Sequence, residues 1–327
     1  VKLRAVSVFL KLLLVVGAVA VVAGVGVGWV VTTAFTGGVA TLPADALDTL
    51  VDRPAEEPGD PLTLLLIGTD SRAGEDDGSG VRGQRADSLM VMRVAPDRSR
   101  VDVVSIPRDS WVDLPGRGQA KANAALAFGG VPMTTQVVEG LTGWRVDHVV
   151  VVDFTAVREI TTQLGGVTVQ NPAASTDPRT GRTFAAGALR LAGDDALTYV
   201  RQRHGLPGGD LDRIVRQQKL LKGIADELLT SQTLTDPNRL RLVLAALGGH
   251  VTIDAGLAGP GLPRVASAAA AVPVDSRHFY TAPVSGSGRS ADGQAYLELD
   301  RATLAFACAE IAAGRTPPLA QGTDTIG

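Results

Sequence analysis

The sequence predicts an α/β protein, a single mixed-sheet α-β-α domain after an N-terminal transmembrane helix. Three observations carry that expectation. An uncharged apolar stretch occupies residues 12–31, and about twenty residues at 1.5 Å each cross a bilayer core of roughly 30 Å. Beyond it, short runs rich in Val, Leu and Ile alternate with segments whose apolar residues recur at helical spacing, as in strands interleaved with helices. The 327 residues are 45% hydrophobic and 20% charged, enough apolar material for one large core or two modest ones.

Taken in order, Lys2, Arg4 and Lys11 precede the apolar stretch. By the positive-inside rule, residues 1–11 stay in the cytoplasm, 12–31 span the membrane and the remainder faces outward. A cleaved signal peptide is the alternative, its apolar part usually running only about 7 to 15 residues. Gly37, Gly38, Pro43, Pro54 and Pro58 with several acids predict an exposed extracytoplasmic linker over 32–61. The folded domain is expected over 62–316 and a flexible tail over 317–327. Its first strand, 62–67, is a continuous apolar run stopped by Gly68. Strands 88–94 and 101–106 flank Pro96, Asp97, Arg98 and Ser99, a turn composition for an antiparallel hairpin. Helices are expected over 120–128 and 133–141, the second closed by Gly143. A Val-rich strand at 148–153, a helix at 155–164 stopped by Gly165 and Gly166, and a strand at 167–169 follow. Residues 194–200 read as a short helix and 211–229 as a longer one with Asp210 as N-cap. On the longer helix Ile214, Leu221, Ala225 and Leu228 share a face that packs on the sheet. Helices at 240–247, 263–271 and 302–313 and strands at 278–282 and 295–299 complete the domain.

Composition removes several function classes. A formal net charge of -3 argues against a general nucleic-acid binder, whose affinity comes from excess Lys and Arg. A single cysteine, Cys308, permits neither an intramolecular disulfide nor a Cys-based zinc site. His148, His204, His250 and His278 form no i, i+4 pair, so any metal would be oxygen-bound, Mg²⁺ or Mn²⁺. Phosphate-binding loops of the Gly-x-x-x-x-Gly-Lys-Ser/Thr type, a Gly-x-Ser-x-Gly elbow and a His-Glu-x-x-His pair are all missing.

What remains is arginine plus carboxylate. Arg201, Arg203, Arg213 and Arg216 crowd one stretch of the chain, and the planar, always-charged guanidinium suits the oxygens of a pyrophosphate. Arg201 and Arg203 alternate, so in an extended segment both face one side, while Arg213 and Gln217 lie one helical turn apart. Pro107 rigidifies the exit from its strand, aiming Arg108. Asp70, after the first strand, and Asp87, before the second, offer hard oxygen ligands for one Mg²⁺ at a sheet edge. Arginine cannot act as an ordinary base, so Asp109, Asp210 and Asp212 are the candidate proton acceptors.

The ordered segments Gly68-Thr69-Asp70-Ser71-Arg72, Arg85-Ala86-Asp87-Ser88, Ser105-Ile106-Pro107-Arg108-Asp109, Lys121-Ala122-Asn123-Ala124-Ala125, Leu164-Gly165-Gly166-Val167 and Tyr199-Val200-Arg201-Gln202-Arg203 resemble the LytR-CpsA-Psr family. The run from Asp210 to Gln218 continues the resemblance, which covers roughly residues 62–229. It implies a membrane-anchored phosphotransferase moving a glycopolymer from a polyprenyl-pyrophosphate carrier to peptidoglycan through a phosphodiester. Such chemistry runs outside the cell on the donor's own pyrophosphate bond. By the same resemblance Asp70 and Asp87 hold Mg²⁺, while Arg85, Arg108, Arg201, Arg203, Arg213 and Gln217 contact the pyrophosphate. An apolar tunnel for the lipid tail is also implied. The loop 73–84, Gly-rich and acidic, departs from the pattern. The competing readings are a non-catalytic polyprenyl-phosphate carrier or scaffold and a pyrophosphatase using water as acceptor. A DNA-binding regulator is disfavoured by the outward topology and the net charge.

Overall fold

The computed structural model describes residues 39–48, 50–69, 85–228, 242, 245 and 250–319. The expected membrane helix at 12–31, Asp70, the loop 73–84 and most of the helix expected over 240–247 lie outside the described residues. No helix among the described residues is long and apolar enough to cross a membrane.

The centre is a mixed seven-stranded sheet in the order Ala40–Thr41, Val251–Ile253, His148–Asp153, Leu62–Thr69, Ala86–Val94, Val101–Ile106, Arg277–Thr281. Leu62–Thr69 runs antiparallel to Ala86–Val94, which is antiparallel to Val101–Ile106; parallel neighbours are His148–Asp153 on one side and Arg277–Thr281 on the other. The expected hairpin forms across Arg98, whose φ of 59° gives the turn its left-handed residue. The apolar run at 62–67 is near-continuous because both faces are covered. Leu65 and Ile67 enter one core with Val91, Val104 and Trp144, whereas Leu62 and Leu64 enter the opposite one with Met90 and Val103.

Six helices matter for the layers: α1 (Ala124–Thr142), α2 (Phe154–Gln163), α3 (Gly193–Arg201), α4 (Asp210–Leu228), α5 (Leu262–Ala271) and α6 (Arg301–Ala312). Helices α1 and α6 cover the first face, where Val138, Leu304 and Ile311 pack. The other face takes α5, through Val265 and Ala268, and Leu221 of α4. A third core joins α2, α3 and α4 around Tyr199, Leu164 and Leu220. The expected pair of helices at 120–128 and 133–141 becomes α1 with a break at Gly130, while residues Gly118–Lys121 form a strand paired with Trp111–Leu114.

The exposed linker expected over 32–61 is corrected from Val39 onward. Ala40–Thr41 adds an edge strand beside Val251–Ile253, and Arg53 pairs with buried Glu139 at 2.7 Å. The segment looks like a linker because its partners are charged groups distant in sequence, which leave no apolar period to read. Strands Gly187–Leu191 and Val284–Arg289 were likewise not anticipated; the first pairs with Val167–Asn171 and the second with Ala295–Leu299.

Candidate active site

Sheet register assembles the site. Ile106 lies opposite Leu89 in an antiparallel pair, so Arg108, just past one strand's end, arrives beside Asp87 at the start of the other. The loop carrying Lys121 is stitched to the same place: Asn123 N–H donates to the Arg108 carbonyl at 3.0 Å and Ala122 N–H to that of Ser110 at 2.8 Å. Arg108 Nη1 donates to Asp87 Oδ1. Its Nη2 stands 3.5 Å from Asp210 Oδ1 and its Nε 3.7 Å from Asp109 Oδ2. Burial opposes the guanidinium charge, but Asp210, Asp87 and Asp109 outweigh it and hold the proton more tightly than usual.

The second layer of charge comes from α4. Arg213 Nη2 donates to Asp210 Oδ2 at 3.0 Å and to the Asp87 carbonyl at 3.2 Å. Burial, with the neighbouring Arg108 charge, lowers its pKa, yet an arginine starts high enough to stay cationic. Lys121 Nζ holds Asp109 Oδ1 at 3.1 Å. The carboxylates Asp87, Asp109 and Asp210 are therefore spacers between cations, and they keep Arg108 and Arg213 close despite their repulsion.

One turn along α4 from Arg213 comes Gln217, whose Oε1 is buried without a hydrogen bond. Beyond it, Leu220, Leu221 and Ile224 line an apolar cavity of about 210 Å³, closed on the sheet side by Leu66, Gly68 and Met90 and on α2 by Phe154 and Ala156. Gly68 is required there, since a Cβ would sit 2.9 Å from Ser88 Cβ and 3.1 Å from the Phe154 ring. A single helix face thus passes from cation through amide to hydrocarbon.

Arg201 ends α3, and the chain turns extended at Gln202. Its guanidinium lies 5.7 Å from the Phe154 ring centre, and with the exposed Arg203 it borders a separate cavity of about 300 Å³ that also touches Asp177, Arg179 and Asp194. The charge of Arg203 reaches Arg213. Arg85 borders a third cavity, together with Lys121. Asp212 takes a different part from Asp109 and Asp210: its carboxylate accepts from Gly208 N–H at 2.7 Å, fastening the loop that enters α4. Arg216, in the same arginine-rich stretch, is a structural pin. It donates to Gln202 Oε1 and Ser175 Oγ, both at 2.6 Å, and lies 4.3 Å over the Tyr199 ring.

Two site residues went unread in the sequence. Lys121 sits in a short polar segment with no periodicity to mark it, and only the fold brings it to Asp109. Gln218 is buried and donates to Ser105 Oγ and to the Tyr280 carbonyl, both at 2.8 Å, locking α4 against the sheet so that Arg213 stands over Asp87. A polar residue on the apolar side of a helix was the available signal. Among the described residues no group of three or more His, Cys, Asp and Glu gathers as for a metal ion.

The LytR_cpsA_psr family matches residues 40–310, which takes in the sheet, the arginine–carboxylate cluster and the apolar cavity. The chain belongs to the LytR_cpsA_psr family. It is 31% identical to an Enterococcus faecalis protein named polyisoprenyl-teichoic acid–peptidoglycan teichoic acid transferase TagU, over 75% of this chain and 77% of that one. It is 35% identical to the cell wall biosynthesis protein LcpA of Corynebacterium glutamicum, over 59% of this chain and 45% of that protein. The chain spans about half the length of several relatives it matches, 55% in the case of the Bacillus anthracis TagU. Among solved structures, TagT bound to LIIa-WTA superposes with a TM-score of 0.62 at 26% identity, covering 81% of this chain and 95% of that one. The central mixed sheet and its helical layers are those of this family.

Proposed function

We propose that this protein is a phosphotransferase that moves a glycopolymer from a polyprenyl-pyrophosphate carrier to peptidoglycan, anchored in the cell membrane with its catalytic domain outside. The observation that carries the reading is the polarity of α4, where Arg213 joins the cationic cluster and Gln217, Leu220, Leu221 and Ile224 line the apolar cavity. A ligand complementary to that face has an anionic head joined to a hydrocarbon tail. The transferase name of the Enterococcus faecalis relative supports the same substrate class, and the basic residues Lys2, Arg4 and Lys11 before the apolar stretch support the outward orientation.

Transfer begins with the pyrophosphate against Arg108 and Arg213, with Arg85, Arg201, Arg203 and Gln217 as further contacts. A hydroxyl oxygen of the acceptor glycan attacks the phosphorus that bears the glycopolymer. The bond from that phosphorus to the bridging oxygen breaks, and polyprenyl phosphate leaves with the electron pair. The hydroxyl proton passes to Asp109 or Asp210, the two candidate bases inside the cluster. Charge that spreads over the transferring phosphoryl oxygens meets prearranged guanidinium groups, the main catalytic resource in such a reaction.

The donor set also fits a hard divalent cation such as Mg²⁺ or Mn²⁺. It is all carboxylate oxygen, and Asp210 Oδ1 is buried without a hydrogen bond. Asp87, with Asp70 as the second oxygen donor, would hold the ion, which when bound would supply additional neutralisation of pyrophosphate charge.

The test follows a labelled polyprenyl-pyrophosphate glycan in the presence of a soluble peptidoglycan fragment and Mg²⁺. Label on the fragment is expected. Release of phosphorylated glycan without transfer would replace the proposal with a pyrophosphatase, and tight binding without turnover would replace it with a carrier.

A further inference from the structure

The largest of the cavities described above lies across the sheet from the apolar one. It measures about 540 Å³, within the roughly 300–1,000 Å³ span of ligand clefts, and Arg85, Trp111, Arg117, Lys121, Phe128 and Gln294 are among its walls. Its floor belongs to α1, which covers the sheet face of Leu65 and Ile67, while the apolar cavity lies against Leu66 and Met90 on the other face. At the strand ends Lys121 of the larger cavity pairs with Asp109, and Asp87, next to Ser88 of the apolar one, pairs with Arg108.

The walls of the larger cavity are rigid and chemically mixed. Trp111 stacks on Tyr296 with ring centres 4.5 Å apart and donates from Nε1 to Gln119 Oε1 at 3.0 Å. Gly288 permits that stack, since a Cβ there would come within 2.5 Å of the Tyr296 ring. The hairpin that carries Tyr296 is itself fixed to the cluster by Leu297 N–H donating to the Asp109 carbonyl at 2.9 Å. Arg117 lies 4.8 Å over the Phe128 ring, which holds its charge at the cavity wall.

We infer that this cavity binds the acceptor, a glycan strand that carries carboxylate groups, with its attacking hydroxyl delivered at the Lys121–Asp109 end. The inference rests on the transferase reading. Aromatic walls take the C–H faces of a sugar, the amides of Gln119 and Gln294 take its hydroxyls, and Arg117, held on the wall over the Phe128 ring, favours an acidic ligand over a neutral one. Placement across the sheet from the lipid-binding face also suits an in-line displacement, in which the nucleophile enters on the side of phosphorus opposite the departing polyprenyl phosphate. It singles out Asp109, rather than Asp210, as the residue nearest the incoming hydroxyl's side.

Calorimetric titration of the full chain in detergent, with a muramic-acid-containing tetrasaccharide and with chitotetraose as its neutral counterpart, tests this. The acidic sugar should bind more tightly, and Arg117→Glu and Trp111→Ala should each weaken it about tenfold while leaving the affinity for polyprenyl pyrophosphate alone unchanged. Arg117 is exposed, so its variant folds even should the Trp111 variant not. Equal affinity for both sugars, or acidic-sugar binding untouched by Arg117→Glu, overturns the inference. So does a glycerol-phosphate oligomer that binds here in place of the tetrasaccharide, which would assign the cavity to the donor polymer. Donor turnover that persists through any of these results leaves the transferase reading standing; its absence in the wild-type chain removes that reading instead.

Discussion

Arg108 touches Asp87, Asp109 and Asp210 at once, so removing it both deletes the central phosphate ligand and leaves those carboxylates to repel the donor. Arg108→Ala is expected to lower transfer by about 10²–10³-fold, and Arg108→Lys should recover little, because an ammonium cannot reproduce the planar fork. Transfer of label to peptidoglycan fragments by the two variants measures this; near-wild-type activity in Arg108→Lys would reduce Arg108 to a point charge. A second residue-scale prediction concerns pH. Burial pushes the Asp254 carboxyl up, but hydrogen bonds from His148 and from the N–H groups of Val149 and Leu257 more than offset it and hold the pKa below its ordinary 3.8. A depressed carboxylate contributes stability that is complete above its unfolded pKa and is lost as pH falls through the folded one. Thermal unfolding at about pH 6 and about pH 3 should therefore show Asp254→Asn less stable at the higher pH and less acid-sensitive than the wild type. Parallel pH dependence in both proteins would refute the linkage.

Elements carry the next predictions. Helix α1 breaks at Gly130, with φ 63° and ψ −155°, and Pro132 follows. That backbone region is open essentially to glycine alone, so Gly130→Ala should cost about 1–3 kcal/mol, read as a lower denaturant midpoint at unchanged slope. Helix α4 sets the geometry of the site through Gln218, and its apolar end forms the cavity wall. Ile224→Trp fills part of that cavity and should raise KM about tenfold for a long-chain polyprenyl donor, since an excluded hydrocarbon forfeits its burial. A donor with a truncated prenyl chain should respond less. Equal responses to the two donors would place the tail elsewhere.

Across the whole molecule, the segment before the first long strand holds distant parts together. Arg53 reaches the buried Glu139 of α1, which also accepts from Val146 N–H at 2.8 Å, and Arg93, 3% exposed, pairs with Glu57. Truncating one member of a buried pair leaves the other charge uncompensated, so Glu139→Ala should lose about 3–5 kcal/mol of stability. Chemical denaturation measures it, and a loss below about 1 kcal/mol would put the pair in the class of surface bridges. The same logic makes residues 39–48 and 50–61 part of the fold.

The local chemistry of the chain determined the strand run at 62–67, the strand at 101–106, helical character within 124–128 and 133–141, and the arginines and aspartates at the ends of apolar runs. Periodicity and backbone restriction act over a few residues, so they are written in neighbouring letters. Asp70 and the apolar stretch at 12–31 are read from sequence alone. Only tertiary structure decided which charges meet. Arg108 joins Asp87 through strand register and Asp210 through the docking of α4, contacts that span long sequence separations. Asp212 resembles Asp210 in every local respect and yet fastens a loop, because two residues rotate a helix by about 200° and so separate the face that meets Arg108 from the face that meets Gly208. The cavities on opposite sides of the sheet follow the same rule: a strand's alternation shows that it has two faces, but only packing against α1 and α4 makes one cationic and aromatic and the other hydrocarbon.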